Sequence, residues 1–250
     1  MRGLRRFSSV AIDAPSVAAA SPLTDTFGRF HNYLRMSITE KCNLRCVYCM
    51  PLEGVKLTPS EQLLTLQERQ RLISIFHSLG IDKLRFTGGE PTVNKHLVDL
   101  IAHARSLPSM RSIGVTSNGV MLGAQVKNLA AAGLTHVNIS LDTLDPAKFE
   151  SIVRRDRKLL HRVLSSVYTS LAHGLHVKLN VVLMRGVNDS EAQNFLQLAK
   201  EVPLDIRFIE VMPFEDNQWD RSKLITYREA LDTLQKQVAS STYHILDSGS

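Results

Sequence analysis

The chain has 250 residues, of which 44% are hydrophobic and 22% charged, with a formal net charge of +6. That suits one large domain with a substantial core, and no run approaches the roughly 20 apolar residues that a membrane span needs. The basic charge is spread along the chain, so composition alone leaves two readings open: a mildly cationic surface, or a site for an anionic substrate.

The first residues, "MRGLRRFSSVAIDAPSVAAASPLTDTFGRF", carry Arg2, Arg5 and Arg6, four serines and no acid before Asp13. An Arg-rich, Ser-rich, acid-poor leader reads as an organelle transit peptide over residues 1–28, with a tail of no address as the plainer alternative. No continuous apolar stretch follows the arginines, which argues against a secretory signal. Removing residues 1–28 takes away three Arg and two Asp, so the rest stays basic.

From Tyr33 onward, short β-rich runs alternate with longer amphipathic ones. The strands predicted in chain order are 33–40, 83–88, 112–118, 136–142, 176–184 and 204–212. Helical patterns lie at about 66–79, 94–107, 121–132, 158–173 and 189–201, with a last one in "TYREALDTLQKQV". Gly80, Gly133 and Gly174 each close a helical pattern just before a strand, as a left-handed cap would. A repeated helix–Gly–strand unit implies parallel pairing. The predicted fold is α/β: a partial, open, TIM-like barrel of six (β/α) units over residues 29–235. An open doubly wound sheet is the alternative. Ligands bind at the C-terminal strand ends in both. Residues 236–250 read as a separate Ser- and Gly-rich tail.

The unusual residues sit at those strand ends. "ITEKCNLRCVYCMP" follows the first predicted strand and holds all three cysteines, Cys42, Cys46 and Cys49. They lie too close together for a disulfide framework in a chain of this size, and they point to a metal in a reducing compartment. Three thiolates are one short of a closed zinc site, so zinc needs a distant fourth ligand such as a histidine. On a [4Fe–4S] cluster, three thiolates leave one iron open for a small molecule. The nine histidines are scattered without an H-x-x-x-H pair, and none is assigned as a ligand. "RRDRK" at 154–158 reads as a solvated helix-start face, with a phosphate or nucleic-acid patch as the lesser reading.

C-x-x-x-C-x-aromatic-C after a first strand, with "GGEP" at 88–91 after the second, resembles the radical S-adenosylmethionine superfamily. The stretches "LRMSITEKCNLRCVYCMP", "LRFTGGEPTV", "VTSNG", "VNISLDTLDPAKFESI", "VKLNVVLMRGVND" and "IRFIEVMPF" narrow the resemblance to the GTP 3′,8-cyclases of molybdenum cofactor biosynthesis. It runs from about residue 33 to about 235. The resemblance implies that Cys42, Cys46 and Cys49 hold a [4Fe–4S] cluster, whose electron cleaves S-adenosylmethionine to methionine and a 5′-deoxyadenosyl radical. Tyr48, Gly88, Gly89, Ser140 and Met212 would bind S-adenosylmethionine. Arg35, Arg85, Thr116 and Lys178 would bind GTP, which would be converted to 3′,8-cyclo-7,8-dihydroguanosine 5′-triphosphate. The leader would then direct the protein to the mitochondrial matrix.

Each role has a plainer counterpart. Gly88 and Gly89 suit a tight turn, and Pro91 suits a first helical turn. Tyr48 and Met212 suit packing. The strand cations could point outward or pair with Glu90 or Asp142. The family's second cysteine cluster has no counterpart after Cys49, so these residues are expected to cleave S-adenosylmethionine and to cyclise GTP poorly. Competing readings are another radical S-adenosylmethionine reaction, a non-catalytic isoform and a small zinc protein. The sequence implies neither a nucleic-acid nor a membrane partner. It leaves the electron donor unknown and a homodimer open.

Overall fold

The structure, a computed structural model, describes residues 21–212 and 220–238. The chain separates into Met1–His31 and Asn32–Ser250. In the first unit, residues 24 and 30 form an antiparallel bridge, and Asp25 pairs with Arg29 at 2.8 Å. Most of the proposed leader, residues 1–20, and the end of the tail, 239–250, lie outside the described residues.

The second unit is a six-stranded sheet: β1 (Tyr33–Ser37), β2 (Lys83–Thr87), β3 (Ser112–Ser117), β4 (His136–Ser140), β5 (His176–Leu183) and β6 (Asp205–Glu210). The strands pair in chain order, β1 to β6, and every pair is parallel. A doubly wound sheet reverses its strand order part-way, and no reversal occurs here. The sheet is the open, singly wound barrel that the helix–Gly–strand repeat predicted.

Among the described residues seven α-helices accompany it: α1 (Leu66–Ser78), α2 (Leu97–Ser106), α3 (Leu122–Ala131), α4 (Pro146–Val153), α5 (Leu159–Ala172), α6 (Ala192–Glu201) and α7 (Tyr227–Val238). The three glycines do cap helices: Gly80, Gly133 and Gly174 have φ of +107°, +110° and +73°. None of the helices is long and apolar enough to cross a membrane among the described residues.

Three local expectations change. Helix α4 was not predicted. Its signal is Asp145, whose side chain caps Ala147 and Lys148 N–H, followed by Pro146 in the first turn. "RRDRK" does not open a helix face. It is the connection from α4 to α5, with Arg154 in the left-handed conformation at φ +52°. Pro91 opens a short 3-10 turn, Pro91–Val93, and α2 begins only at Leu97.

Alternation along the strands decides what faces where. Leu84, Phe86, Ile113, Val115, Val137, Ile139, Val177, Leu179 and Val181 are buried in one continuous core with residues of α2, α3 and α5. The intervening positions therefore face the other, concave side. There they form rows across the sheet. One row runs Arg35–Arg85–Gly114–His136–His176. The next holds Thr116–Asn138–Lys178–Asp205, and a third holds Ser140–Asn180–Arg207. Polar residues on these strands are thus the lining of an open concavity.

Candidate functional site

The segment after β1 hydrogen-bonds to the segment after β2. Gly89 N–H donates to Thr39 C=O at 2.7 Å and Glu90 N–H to Lys41 C=O at 2.8 Å. The chain then enters the cysteine loop. Cys49 and Met50 N–H both donate to Cys46 C=O at 3.0 Å, closing a tight turn. Arg45 and Val47 N–H donate to Val153 and Ile152 C=O, which docks the loop on the end of α4. The loop is thus tied on both sides before any ligand is considered.

Gly88 and Gly89 explain how these segments come so close. A Cβ on Gly88 would stand 2.3 Å from Thr39 O, and Gly88 has φ +148°. A Cβ on Gly89 would stand 2.5 Å from Lys41 O. Both distances forbid a side chain. The glycines therefore join the glycine-rich turn to the backbone just ahead of Cys42.

The three cysteines are free thiols, two half-buried and Cys49 exposed. Burial, then Asp142 and the other two thiols, pushes Cys46 far up; burial, then Cys42, pushes Cys49 up. The thiols therefore lie close enough to repel one another as anions. A bound metal reverses that balance and deprotonates them. Among the described residues no three Cys, His, Asp or Glu side chains already stand in metal-holding geometry, and no histidine or carboxylate completes a four-ligand set. Three soft donors on one anchored loop fit an iron–sulfur cluster with one open iron better than a closed zinc site.

Ser140 and Tyr48 meet beside this loop. With Cys46, Asn118 and Asp142 they line a small cavity of about 20 Å³. Tyr48 Oη donates to Asp142 Oδ2 at 2.7 Å, and Val182 N–H donates to Asp142 Oδ1 at 2.8 Å. Burial pushes the Asp142 carboxyl up to about 6 although both bonds act to lower it. A larger cleft of about 530 Å³ opens beside Tyr48, between residues 50–53, α4 and Met184 and Val211. Met212, two residues beyond β6, is 55% exposed and lines neither space.

Arg35, Arg85, Thr116 and Lys178 all occupy concave positions. Arg85 Nε donates to Tyr33 Oη at 2.7 Å, and its guanidinium lies over Gly114, where a Cβ would stand 3.0 Å from Cζ. Lys178 does pair with an acid, but neither of the two expected. Its partner is Asp205, at 3.2 Å across the β5–β6 pair. Asp142 is engaged by Tyr48 and Val182, as above. Glu90 is fully buried and accepts from Thr92 N–H and Oγ1, Ser117 Oγ and Asn118 N–H at 2.6 to 3.0 Å.

Glu90 was named in the sequence only as a partner for the strand cations, and Asn118 and Glu191 were not singled out. Asn118 Nδ2 donates to Asn43 Oδ1 at 2.6 Å and approaches Cys42 Sγ at 3.8 Å. Glu90 and Asn118 thereby link the second and third strand ends to the cysteine loop. Glu191 is buried and accepts from Thr143 Oγ1, Leu144 N–H and Lys148 Nζ. It ties the loop after β4 to the start of α6. The only signal was their place in strand-end loops.

The sequence matches the Radical SAM superfamily over residues 36–199, which contains the cysteine loop, the glycine-rich turn, strands β2 to β5 and the end of β1. The chain belongs to the radical SAM superfamily. It is 51% identical over 216 residues to Molybdenum cofactor biosynthesis protein 1 of Bos taurus, covering 86% of this chain and 34% of that protein. It is 48% identical over 219 residues to the mitochondrial GTP 3′,8-cyclase of Arabidopsis thaliana, covering 87% and 56%. The chain thus spans about a third to about half the length of these relatives. Its fold is also similar to Streptococcus suis SuiB bound to S-adenosylmethionine, with a TM-score of 0.64 at 16% identity, over 84% of this chain and 48% of that one. Radical SAM membership implies one [4Fe–4S] cluster and S-adenosylmethionine, and the three cysteines of these 250 residues account for one cluster.

Proposed function

We propose that this radical SAM chain forms the S-adenosylmethionine-cleaving barrel of a GTP 3′,8-cyclase of molybdenum cofactor biosynthesis, acting in the mitochondrial matrix. The reaction converts GTP to 3′,8-cyclo-7,8-dihydroguanosine 5′-triphosphate. The observation that carries this reading is a juxtaposition. Three free thiols stand at the C-terminal strand ends, and Arg35, Arg85 and Lys178 stand on the concave face of the same strands. The names of the Bos taurus and Arabidopsis thaliana relatives support it.

In this reading Cys42, Cys46 and Cys49 hold the cluster and leave one iron for S-adenosylmethionine. Bound there, the pair supplies one-electron cleavage of a sulfonium and hydrogen abstraction from the substrate. Tyr48 and Ser140, already beside Cys46, face S-adenosylmethionine, and the Gly88–Gly89 turn holds its backbone against the cysteine loop. Met212 joins them from the end of β6. Arg35, Arg85 and Lys178 bind the triphosphate as charge-assisted donors, with Thr116 between them. Asp205 releases Lys178 when the phosphates arrive.

Oxygen-free protein with its iron and sulfide restored, given S-adenosylmethionine, a reductant and GTP, is expected to form 5′-deoxyadenosine in a GTP-dependent way. Arg85→Ala should raise the GTP concentration needed by roughly tenfold, the loss of one charge-assisted contact. Deoxyadenosine formed equally without GTP would refute the substrate, and iron-free protein would refute the whole reading.

A further inference from the structure

The row that carries Arg35 and Arg85 continues beyond them. Across the sheet it reaches Gly114, then His136 and His176, all in register. The two imidazoles stack with centroids 4.7 Å apart and planes at 19°. His136 Nδ1 is engaged by Thr135 Oγ1 at 2.7 Å and Ser112 Oγ at 3.2 Å. Neither ring belongs to the apolar core.

The groups around the pair are mostly cationic. β1 presents Arg35, and β2 presents Lys83 and Arg85, whose guanidinium reaches across the bare Gly114 toward His136. β3 offers hydroxyls alone, from Ser112 and, one row on, Thr116. β5 adds Lys178, and β6 adds Arg207 and the one acid, Asp205, whose side chain is 73% exposed and paired with Lys178. A simple aromatic stack gains nothing from such neighbours, because every added proton meets like charge. An anion gains from all of them.

We propose that His136 and His176 extend the cationic row into a proton-linked anion subsite for the terminal phosphate of the polyphosphate substrate. This rests on the GTP reading above. In the free protein His136 is held neutral beside His176; when the phosphate enters, the His136 imidazole takes up a proton from solvent and becomes a charged donor. The electrostatics agree in direction. Burial, then His176, Arg85 and Lys178, hold the His136 imidazole below its ordinary 6.5. A phosphate beside the pair offsets that repulsion and raises it again. No bond between heavy atoms changes: one N–H forms on the ring as a solvent or buffer acid gives up its proton.

The test is calorimetric binding of GTP, guanosine and inorganic tripolyphosphate to the cluster-loaded protein, in two buffers of different ionisation enthalpy near neutral pH. Wild type is compared with His136→Gln and with His176→Gln, the latter an exposed position whose replacement leaves the core untouched. Wild type should take up about half a proton to one proton more per GTP than either variant. Its GTP affinity should exceed theirs several-fold, roughly three- to tenfold, on the acid side of neutrality and equal theirs on the alkaline side. Guanosine should show no difference. Equal proton uptake in all three proteins would overturn the subsite while leaving the GTP reading intact. Tripolyphosphate bound with the extra proton, but no binding of GTP, would uphold the subsite and remove the GTP reading. Failure to bind either phosphate would overturn both.

Discussion

The strand-end edge and the concave floor treat charge in opposite ways. At the edge, buried carboxylates are fully answered within the chain: Glu90 accepts four hydrogen bonds, and Glu191 accepts from Thr143, Leu144 and Lys148. On the floor, among the described residues, Arg35, Lys83, Arg85, Lys178, Arg207 and two histidines face one acid, Asp205, which pairs with Lys178. A satisfied buried charge fixes geometry, whereas an excess of one sign on a half-exposed face awaits a counter-charge. The edge is therefore a rigid holder and the floor a receptor. Changes at the edge should be felt as lost structure or lost metal, and changes on the floor as lost substrate affinity.

The largest expected effect is at the metal itself. Cys46→Ala should lower iron and sulfide to about a tenth of wild type or less, since two thiolates leave two irons of the cluster without a protein ligand. Iron analysis and the visible spectrum read this directly. Retention of a full cluster would mean that the thiols do not act as a set. Next comes Glu90→Ala, which leaves Thr92, Ser117 and Asn118 donors buried without an acceptor. It should destabilise the fold by about 2–4 kcal/mol, with Glu90→Gln recovering part of the loss. Denaturant unfolding measures it, and a change below the error of the method would break the edge-as-holder account.

Two glycines test the comparison at matched chemistry. In Gly89→Ala the new methyl meets main-chain oxygen of Lys41 at 2.5 Å. Backbone cannot yield cheaply, so a loss of roughly 1–3 kcal/mol and weaker cluster retention are expected. In Gly114→Ala the methyl meets the end of the Arg85 side chain at 3.0 Å, which can swing aside. Stability should change by less than about 1 kcal/mol, while GTP affinity falls as the guanidinium leaves its place in the row. If both variants lost stability equally, edge and floor would not differ in rigidity.

How much of this could be read from the sequence follows from the range of each interaction. Strand alternation and glycine caps are local, and all six strands and three caps were legible. The cysteine loop and "GGEP" were legible as compact motifs. Helix α4 was missed because its eight residues begin with a proline and offer little periodicity. Apart from Thr92 and Val120, each two residues off, the partners of the Glu90, Asn118 and Glu191 side chains lie 27 to 76 residues away. A lone polar residue in a loop carries no mark of such a partner. The cation rows need strand register, and register depends on where each strand starts, which sequence gives only to a few residues. For that reason Lys178 was matched to the wrong acids, and the histidine pair, split between two strands, was passed over.

The smallest expected effect concerns a carboxylate outside both regions, and it serves as their control. Glu229 caps the first turn of α7: it accepts from Thr226 N–H and Oγ1 at 2.9 Å, and from Arg185 at 2.8 Å. The Thr226 backbone bond, then Arg185 and the Thr226 hydroxyl, hold its carboxyl down to about 2 from an ordinary 4.5. A carboxyl lowered by folding stabilises the native state above its ordinary value, and that contribution fades as pH falls toward the folded value. The first turn of α7 should therefore loosen between about pH 4.5 and about pH 2, read as faster amide exchange at residues 227–230 after correction for intrinsic rates. Glu229→Gln should abolish the pH dependence, and Arg185→Ala should move its midpoint upward. Because the group is exposed, the change should stay local, leaving iron content and GTP affinity untouched at neutral pH. A loss of iron on Glu229→Gln would show that the edge is not closed upon itself, and the division between holder and receptor would fail there first.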